Sequence, residues 1–327
     1  MTIDLISGSQ TASVHALHGE TMGTTWSVKL VATPRADLHA LHAGVQQQLD
    51  LVVAQMSTWE EESDLCRFNR AAAGTWQLLP GAFFMVLSCA LEIARESAGA
   101  YDPTLGPLVA AWGFGANAQD QCVPDSHALA IARERVGWSR LQLRPDGTAL
   151  QPGAVELDLS AIAKGFAVDL VARSLRDREV KAALVEVGGE LYGYGPKPDG
   201  SPWQVLVEAS SEDETEQDEP CVLALDGIAV ATSGDRWHAF EQSGEHYSHT
   251  IDPRTGRPVQ HAAAAVTVIA DEAMRADAWA TALTVMGSTE GLAFAQARHL
   301  AARFVTRSDS GDVVAMTDAF RVHFAAS

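Results

Sequence analysis

Apolar positions recur at helical spacing in four segments of the chain. The first covers residues 38–56, and the second covers residues 83–97 with Gly99 just after its end. A third segment follows Ser160, which we interpret as the N-cap of a helix. The fourth covers residues 276–286. The pattern therefore predicts four helices.

Shorter apolar runs predict strands between these helices. The runs cover residues 24–31, 183–187, 204–208, 222–225 and 266–269. Because helices and strands do not alternate strictly, the order favours an α+β fold over a doubly wound sheet. We expect a single compact domain with two lobes, mixed sheets and flanking helices, over residues 19–322, preceded by an N-terminal extension of residues 1–18.

The charge balance argues against several classes of partner. The 327 residues include 42 Asp and Glu but 23 Lys and Arg, which gives a formal net charge of −19. A chain of this sign repels phosphate backbones and anionic lipids, so we expect neither nucleic-acid nor membrane-surface binding. A phosphorylated small ligand would then be recruited with a divalent cation. The acidic segment 210–220 is interpreted as a solvated loop between two strands, with an acidic docking tail as the alternative.

Cysteine usage and the N-terminal sequence bear on location. Cys66, Cys89, Cys122 and Cys221 lie far apart without a CxxC pair, which fits a reducing compartment. We find no basic segment followed by a long apolar stretch at the start, and no apolar run of the roughly 18 residues that cross a bilayer. We therefore expect no transmembrane segment and a cytoplasmic location for the sequence as written. An exported or periplasmic lipoprotein is the alternative if an N-terminal leader has been removed.

Five polar segments stand out, although each also has an ordinary structural interpretation. They cover residues 19–26, 56–69, 99–115, 157–165 and 247–281. The first has the small residues of a hairpin turn, Trp59 in the second is either a core residue or a stacking surface, and Asp102 before Pro103 is typical of a turn. In the fourth, Asp158 and the free backbone groups of a helix start converge. Only in combination do the five segments indicate a function.

Asp277 and Thr281 form a candidate metal site within the fifth segment. They stand four residues apart, so on a helix their side-chain oxygens face the same way. A carboxylate and a hydroxyl are oxygen ligands of the kind that Mg²⁺ prefers. The alternative is that Thr281 bonds back to the carbonyl of Asp277, as mid-helix threonine often does.

Taken together and in this order, the segments resemble those of the ApbE family, the FAD:protein FMN transferases. The resemblance covers about residues 19–287 and is carried by ETMGTTWSVKL, MSTW with SDLCRFN, GAYDPTLGPLVAAWGFG, LDLSAIAKGFAVD, VEVGGELYGYG, AVATSGD, SHTIDPRTGRPV and ADAWATALTVMG. It implies an FAD-binding cleft between two lobes. It also implies that the protein, with Mg²⁺ as cofactor, transfers the FMN part of FAD to a Ser or Thr hydroxyl of an acceptor flavoprotein through a phosphoester bond and releases AMP.

The resemblance also implies roles for individual residues. The FAD-binding residues would be Met22, Trp59, Ala100, Tyr101, Asp102, Asp158, Lys164 and Ile251. The metal would be bound by the carbonyl of Ala161 and the side chains of Asp277 and Thr281. His249 would be the base that deprotonates the acceptor hydroxyl, because a histidine titrates near neutral pH.

The sequence departs from the family pattern at Tyr101, Trp59 and Trp26, which are exchanges between aromatic residues, and at two further positions. Ala280 stands where some members carry a second carboxylate, and Lys164 stands where some carry glutamate. Two other functions use the same motifs: an FAD pyrophosphatase, in which water replaces the acceptor hydroxyl, and a non-catalytic FAD-binding protein. The sequence identifies neither the acceptor protein nor the oligomeric state.

Overall fold

The structure is a computed structural model that describes residues 12–116, 121–207, 221–234, 239–242, 244–259, 263–308 and 311–323. The predicted acidic loop 210–220 and residues 1–11 of the predicted N-terminal extension lie outside the described residues.

Helices and strands alternate irregularly along the described residues. The helices are α1 (Leu38–Met56), α2 (Asp64–Arg70), α3 (Gly81–Glu96), α4 (Gly106–Ala111), α5 (Ser126–Glu134), α6 (Ala163–Asp177), α7 (Ala273–Ala297) and α8 (Asp318–Arg321), with a 3₁₀ helix at Trp138–Arg140. The strands are β1 (Ser13–Thr21), β2 (Thr24–Ala32), β3 (Thr75–Leu78), β4 (Gln142–Leu143), β5 (Thr148–Gln151), β6 (Ala183–Val187), β7 (Glu190–Tyr194), β8 (Trp203–Val207), β9 (Cys221–Leu225), β10 (Ile228–Gly234), β11 (Ala239–Gln242), β12 (Glu245–Ser248), β13 (Ile251–Asp252), β14 (Arg257–Pro258), β15 (Ala263–Ala270), β16 (Ala301–Thr306) and β17 (Val313–Met316).

The largest sheet has eight strands in the order β1-β2-β6-β7-β10-β15-β16-β17. Every neighbouring pair in it is antiparallel. Four smaller sheets of two or three strands surround it. Because the large sheet is antiparallel and its helices do not follow a β-α-β repeat, the predicted α+β class is confirmed.

Both faces of the large sheet are covered. Successive strand residues point to opposite faces, so Ala183 and Val185 belong to the core beneath α1, α6 and α7, whereas Leu184 faces the β8–β9 hairpin. Val230 and Ile269 face that hairpin as well. Helices α6 and α7 pack against each other on the first face, and the candidate site forms where both of them begin.

Most predicted elements are found, with two corrections. Helix α1 has the predicted bounds because its apolar stripe is regular and Asp37 caps it. The prediction that Ser160 caps the third helix is wrong: α6 begins at Ala163, and the Ser160 N–H donates to Asp158 Oδ1 at 2.8 Å. Strand β1 was not predicted, and the expected domain boundary at residue 19 lies inside it.

None of the helices in the described ranges combines the length and the apolar character that a membrane span requires.

Candidate functional site

Helices α6 and α7 cap each other at their N-termini. The Gly165 N–H in α6 donates to Oδ2 of Asp277 at 3.0 Å. In return, the N–H groups of Ala273 and Met274 in α7 donate to the two oxygens of Asp169 at 2.8 and 2.9 Å. The free N–H groups at a helix start favour a carboxylate, and here each helix obtains one from its partner. The exchange fixes the start of α6 against the first turns of α7.

Gly165 permits this close approach of the two helices. A Cβ atom at this position would lie 2.2 Å from the carbonyl oxygen of Ala273, which is far inside ordinary contact distance. Only glycine allows the two backbones to meet here. The turn that contains Ala161 therefore lies next to the helix turn that carries Asp277.

Three oxygen atoms of the predicted metal site are available to a ligand. Oδ1 of Asp277, the hydroxyl of Thr281 and the carbonyl of Ala161 make no hydrogen bond to another described residue. The alternative, a hydrogen bond from the Thr281 hydroxyl to the Asp277 carbonyl, is thus not observed. By contrast, the Thr284 hydroxyl does donate to the Ala280 carbonyl one turn earlier, at 2.8 Å. No cluster of three or more His, Cys, Asp or Glu side chains suited to a metal occurs among the described residues. The donor set at the helix starts, one carboxylate, one hydroxyl and one carbonyl, instead suits a hard cation that keeps several waters.

Lys164 brings a positive charge to the start of α6. Its Nζ atom lies 2.5 Å from Oε1 of Glu190, and its side chain is 32% exposed. Burial opposes the charged form, but the nearby charges of Asp277 and then Glu190 outweigh it and raise the pKa of Lys164. Burial also raises the pKa of Asp277, opposed mainly by Lys164. The structure thus places Lys164 near Asp277 and pairs it with Glu190, while the predicted roles of Lys164 and Asp277 stay predictions.

Tyr101 approaches the same place from the loop after α3. Its side chain is buried, and its hydroxyl has no hydrogen-bond partner among the described residues. Burial, and then the charge of Asp277, holds the pKa of Tyr101 well above its ordinary value. The Asp158 N–H donates to the Pro103 carbonyl at 2.8 Å, so this loop also lies beside Asp158. An orphaned buried hydroxyl at this position is a group that a ligand would satisfy.

Ala100 and Asp102 are buried on either side of Tyr101. Oδ1 of Asp102 accepts the N–H and the hydroxyl of Thr104, at 2.8 and 2.6 Å, and Oδ2 accepts the Trp138 N–H at 3.3 Å. Burial raises the pKa of Asp102, while these hydrogen bonds oppose the shift. The carboxylate therefore forms the turn that its sequence context suggests, and its contact with FAD stays a prediction.

His249 lies in an aromatic cluster on the other side of Asp158. Its ring packs edge-on against Phe114 with 6.4 Å between ring centroids, and Phe114 packs against Phe240 at 5.6 Å. Ile251 is buried in the same small core. A cleft lined in part by Phe114, Asp158 and Thr58 adjoins this cluster at Phe114. His249 and Ile251 therefore belong to this small aromatic core rather than to the helix pair.

Met22 is half-buried in a turn between two strands, and Trp59 is exposed in the bend after α1. Met22 is the first residue of the two-residue turn between β1 and β2, with a φ of 49° that is uncommon outside glycine. That turn approaches Lys164 through Gly188, where a Cβ atom would lie 2.9 Å from Thr24 Cγ2 and 3.1 Å from Lys164 Cδ. Trp59 follows Thr58 of the cleft and is 71% exposed. Because its ring is not used in the core, it is free to stack on an aromatic ligand.

Two residues of the site were missed by the sequence interpretation, namely Glu190 and Asp169. Both lie in segments that carry the family resemblance, at VEVGGE and KGFAVD. A glutamate directly after two glycines was the available signal for Glu190, since a charged residue in an otherwise buried strand needs a partner. Asp169 gave no local signal because its partners lie more than 100 residues away.

The comparisons with known proteins agree with this architecture. The model of the ApbE family matches residues 22–304. The chain therefore belongs to the ApbE family.

Relatives of the chain match over nearly their whole length. A protein of Klebsiella pneumoniae (strain 342) named FAD:protein FMN transferase is 35% identical, covering 96% of this chain and 90% of that protein. A protein of the same name from Vibrio cholerae serotype O1 is 38% identical, covering 90% of this chain and 88% of that protein. The crystal structure of the flavinyl transferase ApbE of Pseudomonas stutzeri, apo form, superposes with a TM-score of 0.89 at 39% identity, covering 97% and 98% of the two chains.

Proposed function

We propose that this protein is a Mg²⁺-dependent FAD:protein FMN transferase that modifies a Ser or Thr hydroxyl of an acceptor flavoprotein. The observation that supports the proposal is that Asp277 of α7 caps the start of α6 at Gly165, next to Lys164. The curated relatives have the name of this activity, and they match the chain over most of its length.

The start of α6 suits a diphosphate. Helix N-termini attract anions through their free N–H groups, and Lys164 adds a full positive charge in the first turn. In a chain of net charge −19, a lysine at a helix N-terminus favours phosphate binding, even though this lysine is paired with Glu190. We propose that Lys164 contacts the diphosphate of FAD there.

The three available oxygens fit Mg²⁺, which we propose is bound by Asp277, Thr281 and the Ala161 carbonyl. When bound, the ion would neutralise negative charge on a neighbouring phosphate. Ala280 provides no further carboxylate, so the remaining ligands would be water and phosphate oxygens.

The reaction requires one proton acceptor, for which we propose His249. The acceptor hydroxyl oxygen forms a bond to the FMN phosphorus, the bond from that phosphorus to the oxygen of AMP breaks, and AMP leaves with the electron pair. His249 accepts the hydroxyl proton. An unactivated Ser or Thr hydroxyl is a poor nucleophile near neutral pH, and the half-buried imidazole supplies a base whose ordinary pKa suits that pH.

The flavin and the adenine also need surfaces to bind. We propose that exposed Trp59 stacks on an aromatic ring of FAD and that the orphaned Tyr101 hydroxyl bonds a polar group of FAD. Met22, Ala100, Asp102, Asp158 and Ile251 complete the proposed FAD-binding set.

A mass-shift assay tests the proposal. The protein is incubated with FAD, Mg²⁺ and flavoprotein acceptors that present a Ser or Thr site, and each acceptor is weighed by mass spectrometry. We expect one acceptor to gain the mass of an FMN phosphoester, and we expect no gain when EDTA replaces Mg²⁺. Unchanged masses for all acceptors, combined with rapid AMP release when no acceptor is present, would favour the pyrophosphatase. A cytoplasmic location stays a prediction.

A further inference from the structure

Glu190 is a buried glutamate whose carboxylate is only half satisfied. It is the first residue of β7, directly after the Gly188-Gly189 turn, and it is 2% exposed. Its Oε1 atom contacts Lys164 Nζ at 2.5 Å, while its buried Oε2 atom has no hydrogen-bond partner among the described residues. Burying a carboxylate with one oxygen unpaired destabilises the fold, so we look for a role of Glu190 that would offset this free energy.

Lys164 has two carboxylates within reach. Glu190 binds its ammonium directly, and Asp277 lies close because it accepts the N–H of Gly165, the next residue along the chain. Burial lowers the pKa of Lys164, but the charge of Asp277, and after it that of Glu190, raises it. A lysine has a flexible stem, so its ammonium would move to Asp277 if Glu190 did not bind it.

The position of the ammonium decides whether Asp277 is available to a cation. An ammonium paired with Asp277 would occupy the carboxylate oxygen that the proposed metal needs, and its charge would repel a divalent ion. The Lys164 stem runs beside the turn at Gly188, because its Cδ atom lies 3.1 Å from the position of a Gly188 Cβ. Helix α6 has no acidic residue in its first turn that would bind the ammonium instead.

We infer that Glu190 is a positioning residue that binds the Lys164 ammonium and so keeps Asp277 available for the divalent cation. This inference rests on the metal site of the proposed function. Glu190 itself touches neither the metal nor FAD in this arrangement, and it acts through Lys164.

A double-mutant cycle tests the inference by metal binding rather than by turnover. The dissociation constant of Mn²⁺, an ion that also prefers oxygen ligands, is measured by electron paramagnetic resonance for the parent, Glu190→Gln, Lys164→Met and the double variant, without nucleotide and with FAD. We expect Glu190→Gln to weaken Mn²⁺ binding about tenfold or more, because one ammonium then competes for Asp277. In the Lys164→Met background the same change should alter the constant by less than about threefold.

Two further measurements separate this role from a structural one. Glu186→Gln is the matched control, because Glu186 lies in the same hairpin and accepts hydrogen bonds from Ser27 and Gly189. It should leave Mn²⁺ binding within about threefold of the parent. The FAD affinities of Lys164→Met and of the double variant in EDTA should agree within about threefold, because Glu190 is inferred to act only through Lys164.

Three results would overturn the inference. The first is a folded Glu190→Gln variant with parental Mn²⁺ affinity. The second is a tenfold loss of Mn²⁺ affinity on adding Glu190→Gln to the Lys164→Met variant. This comparison also tests the inference if the Glu190→Gln single variant does not fold. The third is a parent that binds Mn²⁺ no better than Asp277→Ala does, and that result would refute the proposed metal site as well, whereas the first two leave it standing.

Discussion

Replacing Gly165 by alanine tests whether the close contact of α6 and α7 builds the site. The added Cβ atom would lie 2.2 Å from the Ala273 oxygen and 2.8 Å from the Met274 nitrogen. Both atoms belong to the backbone, so no side-chain rotation relieves the clash. Reaching ordinary contact at about 3.4 Å requires the start of α7 to move away by about 1.2 Å.

The expected loss of stability follows from two effects. Overpacking of this kind costs about 1–3 kcal/mol. The same movement stretches the hydrogen bond from the Gly165 N–H to Asp277, and a hydrogen bond to a charged group contributes about 1.5–3 kcal/mol. The higher helix propensity of alanine stabilises the folded state by about 1 kcal/mol relative to glycine. We therefore expect the free energy of unfolding to fall by about 1.5–5 kcal/mol.

Denaturant unfolding and metal titration measure the two consequences. Gly81→Ala is the matched control, since Gly81 also lies at a helix start and a Cβ there would have no atom within 4 Å. It should leave stability unchanged or raise it by up to about 1 kcal/mol. In folded Gly165→Ala, the displacement should weaken Mg²⁺ binding about tenfold or more, because its ligands no longer converge. A variant as stable as the parent, with unchanged metal affinity, would refute this account of the site.

Three other substitutions have distinct expected outcomes. Trp59→Ala should weaken FAD binding by about 1–3 kcal/mol, as measured by fluorescence titration. Because the ring is exposed, the free energy of unfolding should stay within about 0.5 kcal/mol of the parent value. An FAD affinity equal to that of the parent would exclude stacking by Trp59. His249→Ala should slow acceptor modification about 10²–10⁴-fold and retain FAD binding, and a parental rate would exclude its role as base. Burial raises the pKa of Asp169 from 3.8 to about 6. The folded state therefore binds this proton more tightly than the unfolded state does, so the proton stabilises the fold fully below about pH 4. This stabilisation is lost as the pH rises through 6. Relative to Asp169→Asn, the parent should thus lose about 3 kcal/mol between pH 4 and pH 7 in denaturant titrations, and a constant difference would contradict this.

Features that depend on neighbouring residues were predictable from the sequence. The apolar stripe of α1 and its Asp37 cap lie within one segment, and that helix was predicted with its observed bounds. The turn at Asp102 is equally local, because its carboxylate bonds to Thr104 two residues later. The i, i+4 pair of Asp277 and Thr281 was recognisable because α7 is helical there.

Features that depend on distant residues were not predictable in this way. The start of α6 was misplaced because its first turn is capped by Asp277, 112 residues away, rather than by Ser160. Glu190 bonds Lys164 across 26 residues, and only the packing of β7 against α6 brings them together. The family resemblance supplied the identity of most site residues, but it did not show which contacts hold them in place.

The paired helix starts explain how one small site can attract both an anion and a cation. The first turns of α6 and α7 both present positive backbone dipoles, and the carboxylates of Asp277 and Asp169 already partly neutralise them. Each oxygen of Asp169 accepts a backbone N–H, whereas Asp277 uses one oxygen and keeps the other available. Lys164, which is paired with Glu190, carries the positive charge that we propose contacts the phosphate. FAD binding should therefore depend on Lys164 even in EDTA, whereas the response to Mg²⁺ should depend on Asp277.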